Sequence, residues 1–127
     1  MKIERLETNA AKDAYDGIAF KTIVSEIRNP DGSIVFHLGD VEAPKSWSQV
    51  ACDVLAQKYF RKAGVPAALK RVKEKGVPSW LWRSAPDQKA LDNLPEEERY
   101  SGESSARQVF DRLAGAWTYW GLSLIHI

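Results

Sequence analysis

Residues 18–38 decide the fold, and they read IAFKTIVSEIRNPDGSIVFHL. The run is rich in β-branched and aromatic side chains, which favour strands. Asn29-Pro30-Asp31-Gly32 interrupts it near the centre. Proline fixes φ at the first corner of a type I turn, and Gly32 accepts the left-handed conformation that follows. The sequence therefore predicts a β-hairpin over residues 18–38, with a bulge or an edge position in the first arm, where the alternation is less regular.

A helix is predicted directly after Pro44. Ser46-Trp47-Ser48-Gln49 fits the S-x-x-Q capping box, in which the serine hydroxyl and the glutamine amide satisfy backbone groups at the helix start. Gly64, followed by Pro66, is typical of a helix end. Between these signals, apolar residues recur at helical spacing: Trp47, Val50, Ala51, Val54, Leu55 and Tyr59. We expect this stripe to face the core.

Pro66 is also placed to open a second, shorter helix over residues 67–75, which Gly76 would end. Such a helix would pack against the first one at a corner. Residues 77–100 are interrupted by three prolines, and we expect only helical turns there, near 86–91 and 95–99.

The last helix is predicted over residues 104–120. Its apolar residues fall on one broad face: Ala106, Val109, Phe110, Leu113, Ala114, Trp117 and Trp120. Arg107 and Asp111 are four positions apart, a spacing at which opposite charges can pair on a helix surface.

Both ends are set apart from this predicted domain of residues 18–121. Residues 1–17 are polar and irregular, so we predict a loose leader with at most a helical turn. Residues 122–127 read LSLIHI, an apolar run without a cap, a charge or a loop residue. We predict that this run is a non-native or truncated tail.

Composition excludes several classes of protein. The chain has 127 residues, with 18 Lys and Arg against 17 Asp and Glu, so its net charge of +1 excludes a polycation. One cysteine, Cys52, cannot form an internal disulfide. The sequence has neither the roughly 20-residue apolar run of a membrane span nor a signal peptide. We expect a cytoplasmic protein.

Cations cluster between residues 58 and 75, where seven basic residues and one acid produce a net charge of +6. Such a cluster can follow nucleic-acid phosphates, or it can be a solvated face beside an acidic one. Two helices at an angle resemble a helix-turn-helix, but Val65-Pro66 replaces the usual glycine-containing turn. Direct nucleic-acid binding is therefore an alternative and not the main prediction.

The remaining candidates favour structural roles. Trp80 and Trp82 can stack bases or sugars, but one buried wedge with Leu81 is the simpler interpretation. Cys52 is expected as buried filler and His37 as a surface residue. Glu96-Glu97-Glu98 suits a helix start, where carboxylates complement the dipole. With no phosphate-loop, nucleophile or metal-ligand motif, we predict no catalytic, cofactor-binding or metal-binding residue in this chain.

Several longer stretches resemble the amino-terminal region of adenosylcobalamin-dependent (class II) ribonucleotide reductases. They are residues 36–44 (FHLGDVEAP), 47–66 (WSQVACDVLAQKYFRKAGVP), 78–83 (PSWLWR) and 108–117 (QVFDRLAGAW) with the following Tyr119-Trp120-Gly121. The resemblance extends over about residues 21–121. It implies an α+β region, an amino-terminal hairpin followed by a cap of three to four helices, without the α/β barrel of the parent enzyme.

The resemblance also implies a function for the parent enzyme. Members of this family are oxidoreductases that use adenosylcobalamin to generate a thiyl radical and reduce ribonucleotides, here ribonucleoside diphosphates, for DNA synthesis. A thiol supplies the electrons. The family's catalytic cysteines and cobalamin contacts belong to a ten-stranded barrel further along the chain, and Cys52 matches none of them. This chain alone is expected to be inactive.

An interaction role follows from the last helix. Trp117, Tyr119 and Trp120 are more aromatic surface than a small domain can cover, so we expect them to face the missing barrel. Two alternatives stay open: a small basic module that binds nucleic acid, and a protein-interaction domain that uses Trp80, Trp82 and the last helix.

Overall fold

The hairpin is present in the computed structural model, which describes residues 4–125 except the side chains of Ser123 and Ile125. Strands β1 (Phe20–Arg28) and β2 (Ile34–Pro44) pair antiparallel. At the turn, Gly32 has a φ of 89° and its N–H donates to the Asn29 carbonyl over 2.9 Å. The prediction of a hairpin at this turn is confirmed.

Strand β2 continues past the predicted end at Leu38 because a bulge keeps the two strands in contact. Ile23 lies opposite Val41 and Ser25 lies opposite Leu38, which leaves one extra residue on β2. Within this extra length, Asp40 has a φ of 54°, in the left-handed region. A bulge adds twist without ending the ladder. The irregularity predicted for the first arm is thus produced by the second strand.

Helix α1 (Gln49–Val54) begins two residues later than predicted, and its cap is Ser48 instead of Ser46. The Ser48 hydroxyl accepts from the Ala51 N–H over 3.2 Å. The S-x-x-Q capping box is therefore wrong. A turn uses the preceding residues, because the Trp47 N–H donates to the Pro44 carbonyl over 3.1 Å.

The buried face of this helix also differs from the predicted stripe. Val50 is 73% exposed, Val54 and Tyr59 are about half exposed, and the buried residues are Cys52, Leu55 and Ala56. After Val54 the chain makes a π-helical turn, Leu55–Tyr59. It then leaves the helix before the predicted end at Gly64. Because the helix begins later than predicted, a different face is turned to the hairpin. The small side chains of Cys52 and Ala56 lie on this buried face.

The second predicted helix, residues 67–75, is wrong. The chain is extended there and forms β3 (Val65–Pro66) and β4 (Leu69–Arg71). β3 pairs with β6 (Tyr100–Ser101), and β4 pairs with β5 (Ser84–Pro86). These strand partners lie 13 residues or more away in sequence, so the proline and glycine signals around residues 66–78 do not reveal them.

The remaining helical predictions are confirmed. Helix α2 (Gln88–Asp92) and a 3₁₀ turn, Glu96–Glu98, lie in the two expected places, and a second 3₁₀ turn covers Ser79–Leu81. Helix α3 (Ala106–Ile125) begins two residues after the predicted start at residue 104 and continues past the predicted end through residues 121–125. Within residues 4–125 there are three α-helices and three two-stranded sheets, so the α+β class is confirmed.

The predicted ends of the chain are only partly described. Residues 1–3 of the leader and residues 126–127 of the predicted tail lie outside the described residues. Residues 122–125 continue α3. The non-native origin of residues 122–127 stays a prediction.

One core joins the hairpin, α1 and the start of α3. Its buried members are Ile23, Val41, Ala43, Cys52, Leu55, Phe60, Ala106 and Val109. Burial of their apolar surface supplies the main driving force for this arrangement, at about 25 cal/mol per Å². Polar groups line the contact between β1 and α1, where the buried Ser25 hydroxyl donates to Asp53 Oδ1 over 2.8 Å.

A close backbone approach at Gly102 leads to the first prediction. A Cβ atom there would lie 3.0 Å from the carbonyl oxygens of Arg61 and Lys62. We expect Gly102→Ala to lower the free energy of unfolding by about 2 kcal/mol, because two backbone segments must separate. Chemical denaturation measures this change. Gly115→Ala is the matched control, since a Cβ at that helical position meets nothing within 4 Å and should be neutral or stabilising. Equal stability of both variants would contradict the prediction.

Candidate functional site

The first turns of α3 are held firmly by the core. Ala106 and Val109 are buried, and the Phe110 ring meets the Trp47 ring edge-on with centroids 5.6 Å apart. Arg107 and Asp111 have partners on other elements: Arg107 Nε lies 3.1 Å from Glu42 Oε1, and Asp111 accepts from Tyr15. The spacing-based expectation that Arg107 and Asp111 pair with each other is replaced by these contacts.

A buried ion pair fixes the same helix to the chain at the end of the π-helical turn. Glu103, whose side chain is 5% exposed, accepts from the Arg61 N–H over 2.8 Å and from Arg112 Nη2 over 2.9 Å through one oxygen. Arg112 Nη2 also donates to the Tyr59 carbonyl over 2.7 Å. Charge-assisted bonds of this kind are about twice as strong as neutral ones. The orientation of α3 is thus set at its base.

Beyond this base, α3 carries an exposed apolar surface. Trp117 is 63% exposed, Trp120 is 62% exposed and Leu124 is 71% exposed. Their spacing of three and four positions places them on one side of the helix. We call these three residues the α3 stripe. Exposed clusters of large apolar side chains mark interaction surfaces, as expected from the sequence for Trp117 and Trp120.

Tyr119 does not belong to this surface. It is half-buried, and its hydroxyl donates to Glu74 Oε1 over 3.4 Å. The same oxygen lies 3.4 Å from Arg83 Nε. The predicted aromatic trio is therefore divided, with two indoles exposed and the phenol packed against the segment that follows β4.

The seven cations of residues 58–75 are all exposed. Two of their side chains donate hydrogen bonds to backbone carbonyls: Lys62 Nζ donates to the Gln57 carbonyl over 3.0 Å, and the Arg71 guanidinium donates to the Trp82 carbonyl. Since residues 65–71 form strands, the two-helix arrangement that suggested DNA binding is absent from this described segment. The cations form a solvated face, and no observation supports direct nucleic-acid binding.

The two indoles near residue 80 do not form a paired stacking platform. Trp80 is exposed and Trp82 is half-buried, with its Nε1–H donating to the Val77 carbonyl over 2.9 Å. Leu81 between them is buried. Leu81 and Trp82 thus form part of the predicted wedge, whereas the exposed Trp80 does not belong to it.

Cys52 and His37 occupy the places expected for them. The Cys52 thiol is free and buried in the core. His37 is exposed, with Nδ1 3.6 Å from Glu26 Oε1, and a hydrogen bond from Arg28 is the main cause that lowers the pKa of Glu26. Among residues 4–125, no three His, Cys, Asp or Glu side chains are grouped as metal ligands. In the same range, no helix has the length and hydropathy to cross a membrane.

Some contacts of this surface had no signal in the sequence. The Glu103–Arg112 pair joins residues nine apart that lie on a loop and a helix, and Tyr15 contacts residues more than 90 positions away. The sequence feature that could have indicated the Tyr15 contact is the presence of an aromatic residue in a mostly polar leader. The geometry defines a small α+β domain that presents an open apolar surface at its last helix.

Comparison with known proteins identifies the family. Residues 21–127 match the family described as class II vitamin B12-dependent ribonucleotide reductase, in its amino-terminal region. The chain is 66% identical over 121 residues to a vitamin B12-dependent ribonucleotide reductase of Bradyrhizobium diazoefficiens. It is 63% identical over 121 residues to that of Agrobacterium fabrum. Each alignment covers 95% of this chain and 10% of the relative.

The chain therefore belongs to the class II vitamin B12-dependent ribonucleotide reductase family. It corresponds to the amino-terminal region and spans about a tenth of the length of the curated relatives it matches. The resemblance drawn from the sequence is confirmed.

Proposed function

We propose that this chain is the amino-terminal cap of a vitamin B12-dependent ribonucleotide reductase and packs on a catalytic barrel further along the same polypeptide. The α3 stripe is the observation that carries the proposal. The indoles of Trp117 and Trp120 lie on one side of a firmly anchored helix and lose contact with water only if another surface covers them. Leu124 lies in the run predicted to be a non-native tail, so the proposal rests on the two indoles. A barrel surface in the same polypeptide needs no diffusional encounter to reach them.

The parent enzyme would reduce ribonucleoside diphosphates to deoxyribonucleotides for DNA synthesis in the cytoplasm. Adenosylcobalamin would supply the radical when bound, and a thiol reductant would supply the electrons. As the family resemblance implies, the catalytic cysteines would lie in the barrel; Cys52 is buried in the core of this chain. The contribution of this chain is packing: it holds and covers the barrel.

The family resemblance assigns the cobalamin contacts to the barrel further along the polypeptide. This chain would therefore contribute no cobalamin contact and no catalytic residue.

A domain exchange tests the proposed function. The matched region of the B. diazoefficiens reductase, which is 66% identical over 121 residues, is replaced by this chain, and vitamin B12-dependent formation of deoxyribonucleotide is measured. We expect activity within a few-fold of the unexchanged enzyme. A well-folded hybrid that binds cobalamin but forms no product would overturn the proposal. Deletion of the region is the negative control.

The second prediction concerns the α3 stripe in that hybrid enzyme. Trp117→Ala with Trp120→Ala should lower activity at least tenfold, because large aromatic side chains dominate interface energies. In the separate 127-residue chain, the same double substitution should leave the free energy of unfolding within about 0.5 kcal/mol, since both indoles are exposed. Binding of an apolar fluorescent dye to the chain should fall.

Trp80→Ala is the matched control, because it removes an equally exposed indole, 66%, from a different part of the surface. Its activity in the hybrid should stay near that of the parent hybrid. An equal loss for Trp80→Ala and for the stripe variant would show that the stripe is not the docking surface.

A further inference from the structure

Within the described part of the leader, residues 4–17, Tyr15 fastens the chain to the last helix. Residues 4–14 are exposed, and their hydrogen bonds among the described residues join neighbours, such as Arg5 to Thr8 and Asn9 to Ala11. Tyr15 is different. Its hydroxyl donates to Asp111 Oδ1 over 2.7 Å, and the Arg107 carbonyl lies 3.2 Å from the same hydroxyl. The segment that the sequence predicts to be loose is thus anchored by Tyr15 within its described residues, 4–17.

Three residues contact the Tyr15 side chain: Phe20, Arg107 and Asp111. We call them the tyrosine cradle. The Phe20 ring meets the Tyr15 ring edge-on, with centroids 5.9 Å apart. The Arg107 guanidinium carbon lies 5.3 Å from the Tyr15 centroid and 4.2 Å from the Phe20 centroid. Arg107 thus covers both rings as a cation–π partner.

The cradle is itself held in place. Arg107 Nε lies 3.1 Å from Glu42 Oε1 on β2. That oxygen also accepts from the Ser105 hydroxyl over 2.9 Å. Because Glu42 fixes the guanidinium, the cation does not need Tyr15 to keep its position. The binding surface is therefore preorganised, which lowers the entropic cost of binding.

The chemistry of the cradle matches the phenol of a tyrosine better than any other side chain. An aromatic edge and a cation suit an aromatic ring, and the Asp111 carboxylate needs a hydroxyl donor at the ring's far end. Burial, followed by the hydrogen bond to Asp111, raises the pKa of Tyr15 well above its usual value, with Asp13 adding to the shift and Arg107 opposing it. The phenol therefore keeps its proton, and with it the bond to Asp111.

We infer that the tyrosine cradle is a binding site for a tyrosine side chain and that the chain's own leader fills it as a detachable strap. Helix α3 accordingly carries two surfaces on different sides. The cradle is closed by Tyr15, and the α3 stripe is open. Release of Tyr15 frees the leader and exposes Phe20 and Arg107, so any partner of this face must displace the strap. The inference does not depend on the proposed function.

Backbone hydrogen exchange in the 127-residue chain tests the strap. We expect Tyr15→Ala to speed exchange of the leader amides at Tyr15, Asp16 and Ile18 at least tenfold, while amides of core residues such as Val109 are unchanged. Tyr15→Phe keeps the ring and loses the hydroxyl, so it should have a smaller effect of several-fold. Tyr100→Ala, a half-exposed tyrosine elsewhere, should leave the leader unaffected. If leader amides of the native chain already exchange as fast as those of Tyr15→Ala, the inference is overturned.

A double-mutant cycle separates the strap from a general loosening of the fold. Asp111→Leu removes the acceptor of the phenol, so it should speed leader exchange as much as Tyr15→Phe does. The combination of the two substitutions should add little, because both remove the same bond. Multiplicative effects of the two substitutions would show that the hydroxyl and the carboxylate act separately, and would overturn the assigned site.

Discussion

Replacement of Glu103 by alanine should lower the free energy of unfolding by about 3 kcal/mol, since removing one member of a buried ion pair leaves the other uncompensated. Glu103 accepts from the Arg61 N–H and from two nitrogens of Arg112. Without the carboxylate, a backbone donor and part of a guanidinium lose their partners. The bond from Arg112 to the Tyr59 carbonyl would remain, which limits the loss.

Urea denaturation followed by circular dichroism measures this loss. Glu97→Ala is the matched control, because Glu97 is an exposed carboxylate on a 3₁₀ turn and its removal should change stability by about 0.5 kcal/mol or less. A Glu103→Ala variant as stable as this control would mean that the ion pair contributes nothing to holding α3. Glu103→Gln keeps an acceptor and should fall between the two.

The substitution Phe60→Ala should be more damaging, with an expected loss of about 4 kcal/mol, since it leaves a cavity where an aromatic ring was buried. Phe60 is 4% exposed and joins the core made by the hairpin, α1 and α3. It also lies where the π-helical turn ends, next to the Arg61 N–H that Glu103 binds. Loss of the ring therefore weakens the place where three elements meet.

Tyr59→Ala is a strict control for this second effect. Tyr59 is the adjacent aromatic residue and is 52% exposed, and its contact with Arg112 uses the backbone carbonyl, which alanine keeps. We expect a change of about 0.5 kcal/mol or less in the same denaturation experiment. Similar losses for the two neighbours would contradict the assignment of Phe60 to the core.

Part of the candidate site was predictable because it depends on local sequence. The helical period of residues 104–120 predicts α3, and the surplus of aromatic residues at Trp117, Tyr119 and Trp120 predicts an exposed apolar patch. The tyrosine cradle was not predictable, because Tyr15 and Asp111 are 96 positions apart and no local pattern links them. Likewise, nothing in the sequence separates Tyr119, which packs toward Glu74, from its exposed neighbours.

The two serines before α1 show how the tertiary structure chooses between equivalent signals. Ser46 and Ser48 have the same capping chemistry, and both precede helix-forming residues. The turn from Pro44 to Trp47 leaves only Ser48 at the cap position. That turn follows the length of β2, which the bulge at Asp40 sets. The choice of cap residue thus depends on the pairing register of the hairpin, in which Phe20 lies opposite Pro44, and not on the cap motif.

Sequence alone was sufficient for the hairpin, the last helix and the family, because turn chemistry, helical period and long ordered matches are all carried by residues near one another in the chain. The tertiary structure decided that residues 65–71 are strands, that Ser48 caps α1, and that Tyr15 fastens the leader. Each of these depends on a partner distant in sequence, such as β5 for β4. Backbone groups that find such a partner gain hydrogen bonds and burial together, and this gain outweighs the weak helix preference of the local residues.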